Sequence, residues 1–221
     1  MARDTNLSQI SGVPNCTLIV LCEGDNDLEF VRGLLMRIGL NCEVRRQGPR
    51  DKDSVIRLVI DSKQLSHVPV IVEGGKDRLD GNVRVLVSKL RSVRGSYVRV
   101  LVLRDSDSDD AISAFSKLKS SIDGIINNKT KFPLYKPTMR CDQGRSIGPL
   151  TIYNCILVYK DGDACFQFVY IVPSLERFLS GYGYTNNKSS LNQAINNALN
   201  DLEKRDIVNY FRNYFHNDCE I

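Results

Sequence analysis

The sequence predicts an α/β fold in which a mainly parallel, doubly wound sheet carries helices on both faces. Short apolar runs of strand type alternate with segments of helical periodicity between residues 17 and 110. One run is apolar at every position from 100 to 103, which is typical of a strand covered on both faces of a parallel sheet. Strands that alternate with helices predict βαβ units with right-handed crossovers.

Composition limits the class of protein. The 221 residues, 42% of them hydrophobic, suffice for one sizeable core. No apolar run is long enough to span a bilayer, and the first 15 residues lack the apolar core of a signal peptide. We therefore expect a cytoplasmic protein with no membrane partner. The net charge of +4 is compatible with a polyanionic partner but does not require one.

The cysteines are scattered. There are seven of them, an odd number, and no two stand in a Cys-x-x-Cys pair. The sequence therefore indicates neither a disulfide framework nor a zinc ribbon. Cys22 and Cys155 lie inside strand-like runs, and we interpret them as packing residues.

The first predicted strand, at 17–22, ends at Glu23, and Gly24 lets the chain turn sharply there. Apolar residues at helical spacing then predict a helix over 28–38, with Gly39 as its stop. Farther along, the spacing predicts an edge strand at 41–47, a helix at 53–65, a strand at 68–73 and a helix at 82–93.

Acidic residues follow the buried strand that ends near residue 103. Alternate positions of an extended segment point the same way, so Asp105 and Asp107 aim two carboxylates at one point, with Asp109 close behind. The carboxyl end of a strand is where open α/β sheets place their ligands. Clustered carboxylates repel unless a cation neutralises them, and hard oxygen ligands favour Mg²⁺ or Mn²⁺. The alternative is a solvated acidic loop that caps the next helix.

The remaining elements complete one domain and a tail. After the acidic cluster we predict a helix over 111–126, a long polar loop over 127–149, strands over 151–159 and 166–172 in a hairpin, a short helix over 174–179, and a helix in two pieces over 191–215. The predicted division is an α/β domain over 1–182, with core motifs at 17–110 and late strands and an acidic helix at 151–179, followed by a small helical C-terminal appendage over 183–221.

Two motifs carry a family resemblance. A strand followed by Glu23 and Gly24, with Asp27 soon after, and then Asp105-x-Asp107 after a later parallel strand, resembles the Toprim domain. That domain is shared by topoisomerases, bacterial-type primases, overcoming-lysogenization-defect nucleases and small ribosomal RNA maturases. The resemblance covers about residues 17–110 and implies a Toprim-like sheet.

The resemblance also implies roles for individual residues. Glu23 would be the general acid/base or a metal ligand, and Asp105 and Asp107 would hold Mg²⁺ or Mn²⁺, supported by Asp27 and Asp109. Glu176 would complete a second metal site, although a glutamate in the first turn of a helix is also favoured by the helix dipole. The predicted phosphate contacts are Gly24, Lys76 and Arg104. For Lys76, the alternative is an ordinary surface lysine in a turn.

A rival glutamate exists at Glu73, which has the same form of strand, Glu, Gly and a later Asp. It lies 32 positions before Asp105, whereas Glu23 lies 82 positions before it. The Toprim order requires a further strand and helix between the two motifs, and only the longer interval accommodates them. Glu23 is therefore the catalytic candidate.

Length and missing modules favour a small nuclease of DNA repair or RNA processing within the Toprim group, with DNA or RNA as its partner. A non-catalytic metal- or nucleotide-binding accessory protein on the same fold is the alternative. A haloacid-dehalogenase-like phosphatase is more distant, because Asp109 stands where those enzymes carry Thr or Val after an Asp-x-Asp motif. Basic residues between 129 and 145 are candidate phosphate contacts, or an ordinary solvated surface.

Overall fold

The computed structural model describes residues 17–46, 68–90, 98–106, 110–132, 135–160 and 162–216. The helix predicted at 53–65, and both Asp107 and Asp109, lie outside these residues. In the described part of the chain, none of the helices is long and apolar enough to cross a membrane.

The strands are β1 (Thr17–Cys22), β2 (Cys42–Arg46), β3 (Val68–Val72), β4 (Val98–Asp105), β5 (Thr138–Cys141), β6 (Arg145–Ile147), β7 (Leu150–Tyr159) and β8 (Gly162–Ile171). The helices of the described residues are α1 (Asp25–Arg37), α2 (Lys76–Lys89), α3 (Ala111–Ile126), α4 (Leu175–Ser180), α5 (Lys188–Lys204) and α6 (Ile207–His216).

These strands form one mixed sheet in the order β2-β3-β1-β4-β8-β7-β5, and β6 also pairs with β7. The first five strands of this order are parallel. Strand β7 runs antiparallel to β8, and β5 and β6 run antiparallel to β7. The predicted α/β class with a mainly parallel sheet is confirmed.

Helices cover both faces of the sheet because successive strand residues point to opposite faces. One buried cluster joins the sheet to α2 and α3, through residues such as Leu86 and Phe115. The other joins it to α1, α4, α5 and α6, through residues such as Leu34, Leu199 and Phe211. Consecutive β1 residues divide between these clusters, with Ile19 in the first and Val20 in the second.

Helix α2 begins earlier than its sequence pattern indicates. The predicted start was residue 82, but the helix starts at Lys76. Leu79 extends the buried stripe by one turn toward the amino end, and Gly75, at φ 128°, supplies the turn into the helix. Gly81 lies inside the helix without ending it.

The segment predicted as a long polar loop over 127–149 contains two short strands, so that prediction is wrong. Strand β5 pairs with residues 155–158 of β7, and β6 pairs with residues 150–152 of the same strand. Their residues alternate too briefly to mark them as strands, and pairing with β7 supplies the hydrogen bonds that local sequence does not show.

A disulfide joins Cys141 and Cys155, although the spacing of the cysteines gives no indication of one. Cys155 is also buried in the core, in agreement with its predicted packing role. The two cysteines are direct partners in the antiparallel register of β5 and β7, which places their Cα atoms 4.0 Å apart. Strand pairing, which cysteine spacing does not reveal, creates this geometry. Cys22, in contrast, is a buried free thiol, in agreement with its predicted packing role.

The C-terminal helices, predicted as an appendage, pack on the same face of the sheet as α1. Gly33 permits close contact between α1 and α5, because a Cβ at this position would lie 2.7 Å from a methyl group of Leu199. At the end of α6, the Tyr214 hydroxyl donates to the carbonyls of Val100 and Cys165 in the central strands. Both helices contribute to the buried cluster that contains α1.

Candidate functional site

The candidate site lies at the carboxyl edge of the parallel strands, between β1 and β4. These neighbouring strands pair in register, with Cys22 opposite Leu103. Strand β1 leads into α1 on one face of the sheet, whereas β4 leads toward α3 on the opposite face. The ends of two strands whose connections diverge in this way are the usual ligand position in open α/β sheets. Glu23 follows β1, and Asp105 is the last residue of β4.

Backbone hydrogen bonds hold the turn that carries Glu23. Its carbonyl accepts the N–H groups of Gly74, at 2.8 Å, and Gly75, at 3.2 Å. Both glycines have positive φ, of 69° and 128°, which lets the chain after β3 turn its amides toward β1. The position of the Glu23 backbone is therefore set by the neighbouring strand.

The environment of the Glu23 carboxyl group favours its protonated form. Its Oε2 atom is buried and has no hydrogen-bond partner among the described residues. Burial raises the pKa of Glu23, Lys76 opposes this rise, and the charge of Asp105 adds to it. A carboxyl with a raised pKa takes up and releases a proton closer to neutral pH, as a general acid/base requires.

Asp105 is fixed by the helix that follows β8. Its Oδ1 atom accepts the backbone N–H of Leu175, the first residue of α4, at 2.8 Å. The pKa of Asp105 is raised to about 6, chiefly by burial and also by the charge of Glu176, while the hydrogen bond from Leu175 and the charge of Lys76 limit the rise. Asp105 is therefore mostly ionised at pH 7, at a free-energy cost that a cation would offset.

Asp27 is the most buried acid of the group, with 6% of its surface exposed. Its Oδ2 atom accepts the N–H of Gly24 at 2.8 Å. Burial, followed by the charge of Asp105, raises the pKa of Asp27 to about 8. Asp27 thus keeps its proton at pH 7, and the amide of Gly24, a predicted phosphate contact, already has a partner.

Glu176 reaches the site from the first turn of α4. Its Oε1 atom accepts a hydrogen bond of 2.9 Å from the side-chain amide of Asn26, which also lies 3.4 Å from the Tyr184 hydroxyl. The charge of Glu176 raises the pKa of both Asp27 and Asp105. Glu176 therefore lies close enough to Asp27 and Asp105 for its charge to act on both carboxyls.

Of the two predicted basic contacts, Lys76 faces the carboxylates more directly. It is the first residue of α2, and its charge lowers the pKa of both Glu23 and Asp105. Arg104 instead forms an ion pair with Asp80, and its guanidinium lies 5.8 Å from the centre of the Tyr170 ring. Part of the Arg104 charge is thus already neutralised within the protein.

The donor atoms suit a hard divalent cation in type. In the part of the chain that the structure describes, no three or more His, Cys, Asp or Glu side chains are grouped so as to hold a metal ion. Mg²⁺, however, is often bound through one or two carboxylates, with water and substrate phosphate as its other ligands. Glu23, whose Oε2 atom has no partner among the described residues, and Asp105 are the two carboxylates of the site that could supply such ligands.

The rival Glu73 lies in a different environment. It is 3% exposed, and Asn82 of α2 donates a hydrogen bond to its Oε2 atom, while its Oε1 atom is buried without a partner in the described chain. Burial raises the pKa of Glu73 to about 7, and the hydrogen bond from Asn82 and the charge of Arg78 oppose the rise. Glu73 is thus engaged with α2 rather than with Asp105.

Glu73→Gln is expected to stabilise the protein increasingly as pH rises. The native state binds the Glu73 proton more tightly than the unfolded chain does, so wild-type stability falls from about pH 4.5 to pH 7 and stays low above it. The glutamine variant does not lose stability in this way. Its free energy of unfolding should therefore rise relative to that of wild type by up to about 3 kcal/mol between pH 5 and pH 8. Urea denaturation at several pH values measures it, and a pH-independent difference would contradict the assigned burial.

Several residues of the site have no clear signal in the sequence. Asn26 is visible only as a polar residue at the start of a helix, and nothing marks it as the partner of Glu176, 150 positions later. The Leu175 amide, which binds Asp105, and Asp80, which pairs with Arg104, are equally invisible before folding. These contacts depend on elements that meet only at the sheet edge.

No protein-family model matches this chain, and no curated protein or solved structure is similar enough to match it.

Proposed function

We propose that this protein is a small, Toprim-like nuclease that cleaves phosphodiester bonds of DNA or RNA with the help of Mg²⁺ or Mn²⁺. One observation carries the proposal: at one edge of the sheet, two adjacent parallel strands lead to Asp105 and to Glu23, whose buried Oε2 atom has no hydrogen-bond partner among the described residues. The charge of Lys76 acts on both carboxyls.

The proposed roles follow from these environments. Asp105, held by the Leu175 amide, would bind the cation together with Asp107, which lies outside the described residues. A bound cation would polarise the phosphodiester and stabilise charge on the attacking and leaving oxygens. Glu23, with its raised pKa, would accept and return the proton of the attacking or leaving oxygen. Lys76 would attract the phosphate to be cleaved.

Two other acids have supporting roles in the proposal. Glu176, oriented by Asn26, adds negative charge that favours cation binding beside Asp105. Asp27 retains its proton at pH 7 and holds the Gly24 amide, so it maintains the turn after β1. Loss of its proton when a cation binds would make metal affinity increase with pH.

The test is a nuclease panel over single- and double-stranded DNA and RNA, with Mg²⁺, Mn²⁺ or EDTA. We expect cleavage that requires the divalent ion. Asp105→Asn should shift the Mg²⁺ concentration for half-maximal activity upward about tenfold or more, because one ligand loses its charge. Arg84→Gln, on the exposed side of α2, is the control and should leave that concentration unchanged.

Two outcomes would contradict the proposal. Cleavage that persists in EDTA would exclude the cation-dependent mechanism. Protein that binds metal or nucleic acid but cleaves no member of the panel would instead be a non-catalytic accessory protein on the same fold.

A further inference from the structure

A strongly basic surface lies on the antiparallel side of the sheet. The segment 129–146 contains five basic residues, Lys129, Lys131, Lys136, Arg140 and Arg145, and a single acidic residue, Asp142. The Asp142 carboxylate is already engaged: it accepts the N–H of Gly144 at 3.0 Å, and the N–H and side-chain amide of Asn154 at 3.1 and 2.8 Å. The segment thus presents an excess of positive charge to solvent.

The two arginines of this segment share one face of the sheet. Arg140 pairs with Ile156 and Arg145 with Ile152, and cross-strand partners in an antiparallel sheet point to the same side. Ile152 and Ile156 are four residues apart on β7, so they too share a side. It is the face that α1, α4, α5 and α6 cover elsewhere.

Both arginines are exposed. Within the described residues, neither Arg140 nor Arg145 takes part in an ion pair. Their partners on β7 are four residues apart, which places the two arginines about 14 Å from each other along the strand direction. That interval matches about four phosphates along one strand of a duplex, and fewer along an extended single strand.

The row of arginines begins near the carboxyl edge that holds the candidate site. Leu150, at the start of β7, pairs with Ile171 of β8, which itself pairs with Asp105 of β4. Arg145 pairs with Ile152, two residues along β7 from Leu150. Three strand spacings, from β4 through β8 and β7 to β6, separate Arg145 sideways from Asp105 by about 14 Å. A nucleic-acid strand that reaches Asp105 would therefore pass Arg145 within a few nucleotides.

We propose that Arg140 and Arg145 form a docking row for the phosphodiester backbone of a nucleic acid, on the side of the site away from Lys76. The inference rests on the proposed function for its choice of ligand. The contacts are ionic and independent of base sequence, since exposed guanidinium groups on a sheet edge reach phosphates rather than base edges. The row sets where the backbone lies relative to Asp105.

The test is fluorescence anisotropy with labelled single-stranded and duplex oligonucleotides in EDTA, at several salt concentrations. Each phosphate contact contributes about 0.7 (single strand) to 0.9 (duplex) to the slope of log affinity against log salt. Arg140→Gln with Arg145→Gln should therefore reduce the slope by about 1.4 to 1.8, and weaken binding roughly 30-fold at 0.1 M salt. Arg140→Lys with Arg145→Lys should retain most of the slope, because charge is kept.

The matched control is Arg84→Gln with Lys117→Gln, which removes the same charge from exposed residues of α2 and α3 on the other face. It should change the slope little. An equal loss in this control, or wild-type behaviour of the double arginine variant, would overturn the docking row and leave the arginines as protection of a sheet edge against aggregation.

Binding in EDTA separates this inference from the proposed function. Protein that binds through Arg140 and Arg145 but never cleaves would support the docking row and overturn the nuclease. Protein that cleaves with a divalent ion, but whose binding ignores both arginines, would support the nuclease and overturn the docking row.

Discussion

Glu23→Gln is expected to lower the rate of phosphodiester cleavage by about 10²- to 10⁴-fold, the usual effect of losing a general acid/base. The glutamine has nearly the same shape but does not exchange a proton, so nucleic-acid binding in EDTA should persist. The effect should be clear because the Glu23 backbone is held by Gly74 and Gly75, which limits rearrangement in the variant. Single-turnover cleavage with saturating Mg²⁺ measures the chemical step.

Glu73→Gln is the matched control for this experiment. It changes the same residue type at the end of the neighbouring strand β3, but Glu73 bonds to Asn82 instead of facing Asp105. Its cleavage rate should stay within about threefold of wild type, in keeping with a residue outside the chemistry. If Glu73→Gln abolished cleavage while Glu23→Gln did not, the assignment of the two glutamates would be reversed.

Phe211→Ala is expected to lower the free energy of unfolding by about 3 to 5 kcal/mol, as for other large aromatic side chains removed from a core. Phe211 is 1% exposed on α6, in the buried cluster that also contains α1 and the sheet. Because the cavity would open inside this shared cluster, the whole molecule should unfold in one transition at a lower urea concentration. Circular dichroism and tyrosine fluorescence should report the same midpoint.

Tyr135→Ala is the control, because Tyr135 is 41% exposed and its removal should cost less than about 1 kcal/mol. A separate early transition of the helical signal in Phe211→Ala would contradict the shared core. In that case α5 and α6 would form a separate C-terminal appendage.

Sequence periodicity predicted most of the parallel half of the molecule. Strand β1 has the bounds expected for it, and α3 runs over 111–126 as its apolar spacing indicates, with Asp110 accepting the Ser113 amide as a helix cap. These elements are predictable from the sequence because the apolar residues of each one repeat with the period of a strand or of a helix. The helix predicted in two pieces near the carboxyl terminus corresponds to α5 and α6.

In the antiparallel half, the hairpin of β7 and β8 was predicted, but the two strands that pair with the outer side of β7 were not. Strands β5 and β6 have four and three residues, too few for a pattern, and they exist because β7 pairs with both. The disulfide between Cys141 and Cys155 follows from that pairing. Such features depend on a partner elsewhere in the chain, so no local window contains the information.

At the candidate site, the apolar runs that end at Cys22 and Leu103 were enough to place Glu23 and Asp105 at the ends of buried strands. No local pattern showed that β1 and β4 are neighbours, that Asp105 receives the Leu175 amide, or that Asp27 is buried enough to keep its proton. Burial and charge proximity are properties of the assembled sheet edge. A pKa responds to every group within several ångströms, most of which are distant in sequence.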